Sequence, residues 1–193
     1  MPRLFVAVPV PRDVAVVLAA LLPDTRSLRR VEADLLHLTL AFVGSAPEER
    51  VSQVVEAAAS AAGRCAPFTV RFEELGRFPD AGPPRTVWAG TIAGAPRLEE
   101  LSRAVREELA RRAVPFDPKP FRAHVTLARL REGGSTADVA TTGKALRAAR
   151  IPDRLGFAVD AVHVVESVLT PRGPRYSSRA RAALQQWAKV RSK

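Results

Sequence analysis

Two short stretches constrain this chain more than any other: residues 36–43 (LHLTLAFV) and 123–130 (AHVTLARL) repeat one alternating pattern. Alternation with period two marks a strand that is buried on one face and open on the other. In the first stretch Leu36, Leu38, Leu40 and Phe42 share one parity, while His37, Thr39 and Ala41 share the other. The second stretch repeats the arrangement with His124 and Thr126 opposite Val125 and Leu127. Residues i and i+2 of a strand lie about 6.5–7 Å apart on the same side. Each copy therefore presents an imidazole and a hydroxyl to one face and anchors the other face in a core. Phe42 falls with the core set.

The rest of the chain reads as strands interleaved with helices. Residues 3–8 (RLFVAV) form a buried strand, and Pro11 opens a helix that ends near Leu22, before Pro23. Ser45 and Pro47-Glu48-Glu49 start a helix to about Ala62. Residues 67–75 and 86–93 read as strands joined by a loop from Gly76 to Arg85. Leu98, Leu101, Val105 and Leu109 mark an amphipathic helix over 97–112. A helix over 136–149, strands near 155–169, and a basic C-terminal helix from Ser178 complete the reading. The fold class is α+β with mostly antiparallel strands. With no compositional break, residues 1–193 read as one domain.

The charge balance of +10, from 30 Lys and Arg against 20 Asp and Glu, suits a protein that meets polyanions. Nearly all of that charge is Arg, with Lys only at 119, 144, 189 and 193, and it is spread along the chain. Charge alone thus leaves nucleic acid open. No apolar run is long enough for a membrane span, and the N-terminus is too short and Pro-broken for a signal peptide. A soluble cytoplasmic protein is expected. Cys65, the single cysteine, makes no internal disulfide and has no neighbouring His to activate it.

The chemistry follows from the duplication. One such motif alone reads better as a solvent-facing strand, since Thr is a good strand former. Two copies facing each other across a cleft would bring together two imidazoles and two hydroxyls. One neutral imidazole can take a proton from water while a protonated one gives a proton to a leaving oxygen. Hydroxyls can donate to phosphoryl oxygens as charge builds there. That set serves a phosphodiester without a metal. A zinc site would need three or four ligands, and neither motif has a second His at i+4 or a nearby carboxylate. No cofactor is expected.

The chain resembles the bacterial and archaeal RNA 2′,3′-cyclic phosphodiesterases, also named 2′-5′ RNA ligases, of the 2H phosphoesterase superfamily. The likeness runs through Arg3–Val8, Leu36–Gly44, Leu75–Pro79, Arg85–Gly90, Phe121–Arg129, Glu166–Leu169 and Tyr176. It implies a bilobal fold of two mostly antiparallel sheets with outer helices, approximate two-fold symmetry and a central groove. By motif match it implies His37 as proton donor, His124 as proton acceptor, and Thr39 and Thr126 as phosphate holders. It implies an RNA or oligonucleotide with a 2′,3′-cyclic phosphate end as partner, and a monomer as the expected state. Two departures are visible: Ala123 replaces the usual Pro, and Asp34-Leu35-Leu36 replaces the usual Asn-Leu pair with an upstream Trp.

Around the motifs, Arg122 has the parity of His124 and is a candidate phosphate clamp. Arg129 has the opposite parity and points away unless a bulge intervenes. Phe78, Trp88 and Tyr176 are candidate base-stacking residues. His163, between two valines with no following Thr, reads as structural. Within enzymes, reversible 2′-5′ ligation or cleavage is the alternative reading. A non-catalytic RNA-binding module is the other, against which the intact His–Thr pairs argue.

Overall fold

A computed structural model of the chain describes residues 1–22, 28–131, 136–171 and 173–185. The elements run β1 (Arg3–Pro9), α1 (Arg12–Ala20), β2 (Leu28–Arg30), β3 (His37–Ser45), α2 (Val51–Ala62), β4 (Phe68–Phe78) and β5 (Thr86–Thr91). They continue with α3 (Ala95–Arg111), β6 (His124–Leu130), α4 (Thr136–Ala148), β7 (Gly156–Val159), β8 (Ala161–Thr170) and β9 (Gly173–Ala183). The architecture is α+β, as the alternating apolar patterns predict.

All pairings are antiparallel, and the strands follow one curled order, β7-β4-β5-β6-β3-β1-β8-β9, with β2 set beside β6. The two motif strands β3 and β6 lie at the middle and meet through the single register pair Leu38–Val125. That pair marks an approximate two-fold axis. The halves β1-α1-β3-α2-β4 and β5-α3-β6-α4-β8 repeat one connectivity on either side of it. In each half the third strand crosses over: β4 joins β5, and β8 joins β1.

The helix-covered face of the sheet carries the main core. Leu4, Val6 and Val8 of β1, Leu38 and Leu40 of β3, and Val125 and Leu127 of β6 are all buried in it. Helix α3 contributes Leu98, Leu101, Val105 and Leu109, each fully buried and worth about 2 kcal/mol by transfer from water. Helix α3 packs on β3 and on α2, which in turn packs on β8 and β9. Among the described residues the concave face carries a smaller buried cluster, Phe5, Ala7 and Val165 with Tyr176 against it. This explains why β1 is buried on both sides over five successive residues.

Two expectations change. Residues 178–183 are strand and not helix: Arg179 to Ala183 is a helix-forming composition, but Ala180 and Ala182 alternate with arginines and pair in register with β8. Tertiary pairing overrides local preference there. Lys189 and Arg191, assigned to the same helix, lie outside the described residues. Strand β4 runs on to Phe78 where a loop was expected from Gly76, because Gly76, Arg77 and Phe78 pair with Trp88, Val87 and Thr86. No signal in the sequence pointed to the three-residue strand β2.

Candidate active site

His37 and His124 open β3 and β6, and both are fixed in the same way. The His37 Nδ1–H donates to the Leu35 carbonyl at 2.7 Å, and the His124 Nδ1–H donates to the Arg122 carbonyl at 2.8 Å. A carbonyl only accepts, so Nδ1 carries the proton in each ring and Nε2 is left for a ligand. Thr39 and Thr126 stand two residues on, at the half-buried positions of the same face, with Leu38, Leu40, Val125 and Leu127 locked beneath. Neither threonine hydroxyl has a hydrogen-bond partner among the described residues.

The alternation then breaks at the same place in both strands. On β3, Val6 pairs with Ala41 but Ala7 pairs with Thr39; on β6, Val87 pairs with Ala128 but Trp88 pairs with Thr126. Each strand thus carries a bulge that buries two successive residues, Leu40-Ala41 and Leu127-Ala128. The freed carbonyls are taken up: Leu40 accepts from the Ser102 hydroxyl of α3 at 2.7 Å, and Leu127 accepts from the Val31 amide at 2.8 Å. Parity inverts beyond each bulge. Phe42, expected in the core, is 40% exposed on the concave face and stacks on Phe5 at 5.6 Å between ring centres. Arg129, at the matching position of β6, returns to the face of His124 and Thr126.

Aromatic rings flank both histidines. Phe5 and Tyr176 lie 4.8 and 5.4 Å from His37, ring centre to ring centre. Phe78 and Trp88 lie 5.0 and 6.2 Å from His124. Trp88 is laid flat across β4: a Cβ at Gly76 would stand 2.1 Å from its ring, so only glycine permits this floor. The candidate stacking rings Phe78, Trp88 and Tyr176 thus lie beside the two histidines, and they are joined by Phe5 and by Phe42 stacked on it. Arg122 lies over the Phe78 ring at 5.2 Å and pairs with Asp80 at 3.2 Å. His163 lies apart from this constellation, two strands away on β8, and its Nδ1 bonds the Ser178 hydroxyl at 3.1 Å.

Burial depresses both imidazoles below their ordinary value. For His37 the hydrogen bond to Leu35 opposes the shift, and positive charge on His124 and Arg129 deepens it. For His124 the bond to Arg122 opposes, while the charges of Arg122 and Arg129 deepen it. Burial likewise raises the Tyr176 phenol, against the charges of Arg129 and Arg3. Arg129 is therefore felt by His37, His124 and Tyr176 alike. A site with two neutral imidazoles, two donor hydroxyls and a guanidinium is suited to an anion that undergoes proton transfer at two points. Among the described residues no three His, Cys, Asp or Glu side chains gather into a metal-binding group, and no helix is long and apolar enough to cross a membrane.

Comparison with known proteins agrees with this geometry. A family model described as the 2′-5′ RNA ligase superfamily matches residues 18–170. A protein of Thermus thermophilus named RNA 2′,3′-cyclic phosphodiesterase is 35% identical over 182 residues, covering 91% of this chain and 86% of that protein. One of the same name from Archaeoglobus fulgidus is 31% identical over 179 residues, covering 90% of this chain and 96% of that one. Among solved structures, Escherichia coli LigT complexed with 3′-AMP superposes with a TM-score of 0.75 at 26% identity, covering 96% of this chain and 100% of that one. The groove of paired His–Thr motifs on a curled antiparallel sheet defines an enzyme of the 2H phosphoesterase type. Within that class, the chain belongs to the 2′-5′ RNA ligase superfamily.

Proposed function

We propose that this enzyme opens 2′,3′-cyclic phosphates at RNA ends by acid–base catalysis between two histidines, without a metal. The observation that carries the reading is the doubled, identically tethered imidazole, each Nε2 left available on one concave face across the Leu38–Val125 pair. The names of the relatives support the substrate class.

In the proposed reaction, water attacks phosphorus and its proton passes to His124 Nε2. The bond from phosphorus to the ribose 3′ oxygen breaks, and His37 Nε2–H protonates that oxygen. The products are a 2′-phosphomonoester and a 3′-hydroxyl. Thr39, Thr126 and the Arg129 guanidinium donate to the non-bridging oxygens, where charge accumulates. Because burial keeps both rings neutral in the free protein, the proton on His37 arrives with the anionic substrate, whose charge favours imidazolium. Phe78 and Trp88 on one wall, with Tyr176 on the other, supply ring faces for the terminal base. Arg122, already held by Asp80, reaches the phosphate only by leaving that exposed pair, which costs little.

The test is an oligonucleotide ending in a 2′,3′-cyclic phosphate, incubated with purified protein in excess EDTA. The expected product carries a 2′-phosphate, at a rate that EDTA leaves unchanged. An inert protein, or one silenced by EDTA and restored by a divalent ion, would overturn the reading. The family description also carries a 2′-5′ ligase reading, which is the same ring opening with a 5′-hydroxyl in place of water as the nucleophile. RNA halves added to the same assay separate the two by product length.

A further inference from the structure

We propose that Arg29 forms, beside Arg129, a second anion subsite that takes the phosphate on the 5′ side of the terminal nucleotide. The proposal rests on the phosphodiesterase reading and deepens it by naming a contact one nucleotide away from the reacting phosphorus. The short strand β2 lies along the far end of β6, and its central residue Arg29 stands in direct register with Arg129. Residues directly opposite on antiparallel strands share a face, with Cβ atoms about 4.5–5.5 Å apart. Since Arg129 faces the groove beyond the bulge, so does Arg29.

Like charges in that relation are destabilising unless an anion compensates them. Among the described residues neither guanidinium has a carboxylate within ion-pair distance. The contrast with Arg122 and Arg179 is clear, for both are paired, with Asp80 and with Glu166 and Glu48. The Arg29 side chain also extends across the groove end towards the β8–β9 hairpin of the opposite wall. A Cβ on Gly173, which sits at φ 129, would stand 2.9 Å from Arg29 Nη2. Arg29 therefore reaches to that hairpin, with no side chain at Gly173 to obstruct it.

Two uncompensated guanidiniums on one face are phosphate chemistry, because the planar fork matches phosphate oxygens in pairs. Arg129 serves the reacting phosphate. Arg29 lies one strand further out, about 4.8 Å away, and so meets a different anion. The nearest other anion on an RNA end is the phosphate attached to the 5′ oxygen of the terminal ribose.

The decisive experiment compares two small substrates: a nucleoside 2′,3′-cyclic phosphate with a free 5′-hydroxyl, and the same compound with a 5′-phosphate. The wild-type enzyme is expected to show a KM about tenfold lower for the 5′-phosphorylated compound, the worth of one charged hydrogen bond. Arg29→Gln should lose that preference while kcat and KM on the 5′-hydroxyl compound stay within about twofold. Arg29→Lys should keep part of it, as a point charge replaces the fork. With an oligonucleotide, the slope of log KM against log salt should fall by about 0.7 in Arg29→Gln, one phosphate's share on a single strand. A wild-type enzyme indifferent to the 5′-phosphate, or an Arg29→Gln variant impaired equally on both compounds, would overturn the subsite. A wild-type enzyme that opens neither compound would overturn the phosphodiesterase reading and the subsite with it.

Discussion

The two halves of the groove use one backbone design for unlike electrostatic ends. Both carry a histidine whose Nδ1 is tied to the carbonyl two residues earlier, a threonine two residues later, and a bulge that turns the fifth residue after the histidine onto the concave face. In the first half that residue is Phe42, and His37 is packed among Phe5 and Tyr176. In the second half it is Arg129, and His124 has Arg122 beside it as well as Phe78 and Trp88. The lesson is that a duplicated strand sets where the reacting groups stand, while the residue beyond the bulge sets the field they stand in. The apolar wall lies on one side only, whereas the charge of Arg129 bears on both imidazoles.

Removing the imidazoles probes the shared part of the design. His37→Ala and His124→Ala should each lower turnover by about 10²–10⁴-fold, the usual worth of a positioned acid or base. The double variant should lose less than the product of the two, since both act in one step. Thr39→Ala and Thr126→Ala should each cost about 10–100-fold. A substrate with a good leaving group at the 3′ position needs little protonation, so it should rescue His37→Ala far more than His124→Ala. Rescue of His124→Ala instead would exchange the two roles.

Exchanging the residue beyond the bulge probes the unlike part. The pH profile of kcat/KM reports the free enzyme and should be bell-shaped, with its limbs belonging to the pair. Because burial and positive charge lower both imidazoles, both limbs should fall on the acid side of about 6.5. Arg129→Phe removes a charge that disfavours imidazolium at both rings, so both limbs should move to higher pH while KM rises about tenfold. Phe42→Ala should leave the limbs in place. Unmoved limbs in Arg129→Phe would show that its charge does not govern the pair.

The smallest effect concerns the bulges themselves. The Leu40 carbonyl depends on the Ser102 hydroxyl, with Arg106 Nε at a longer 3.4 Å, whereas the Leu127 carbonyl is served by a backbone amide that mutation cannot remove. Ser102→Ala should therefore cost about 1–3 kcal/mol of stability, read as a lower denaturant midpoint with the slope unchanged. An unchanged midpoint would mean that Arg106 takes over the carbonyl.

Period-two alternation made the motif strands legible in the sequence, and with them His37, Thr39, His124 and Thr126. It misled at the next step, because parity counting carries Phe42 into the core and Arg129 away from the groove. A bulge is written in the pairing with neighbouring strands, not in the strand's own residues, and nothing in LTLAFV or VTLARL declares it. Phe5 was hidden for a related reason: in a strand buried on both faces, the concave side looks like the core side. Arg179 to Ala183 misread as helix because alanine and arginine suit a helix well, and only the partner strand β8 decides the matter.

The crossing of β4 and β8 between the halves has a consequence for how the chain is made. Strand β1 is synthesised well before its outer neighbour β8, which lies more than 150 residues downstream. Until β8 is synthesised, the apolar strand Arg3–Pro9 offers one unsatisfied edge to whatever it meets, including other nascent copies. The second half has no such wait, for β4 precedes β5 and the two are joined by a short loop. The same crossing that makes the site symmetric therefore makes its assembly lopsided in time: the wall around His124 can form from neighbouring strands, while the wall around His37 waits for the distant β8.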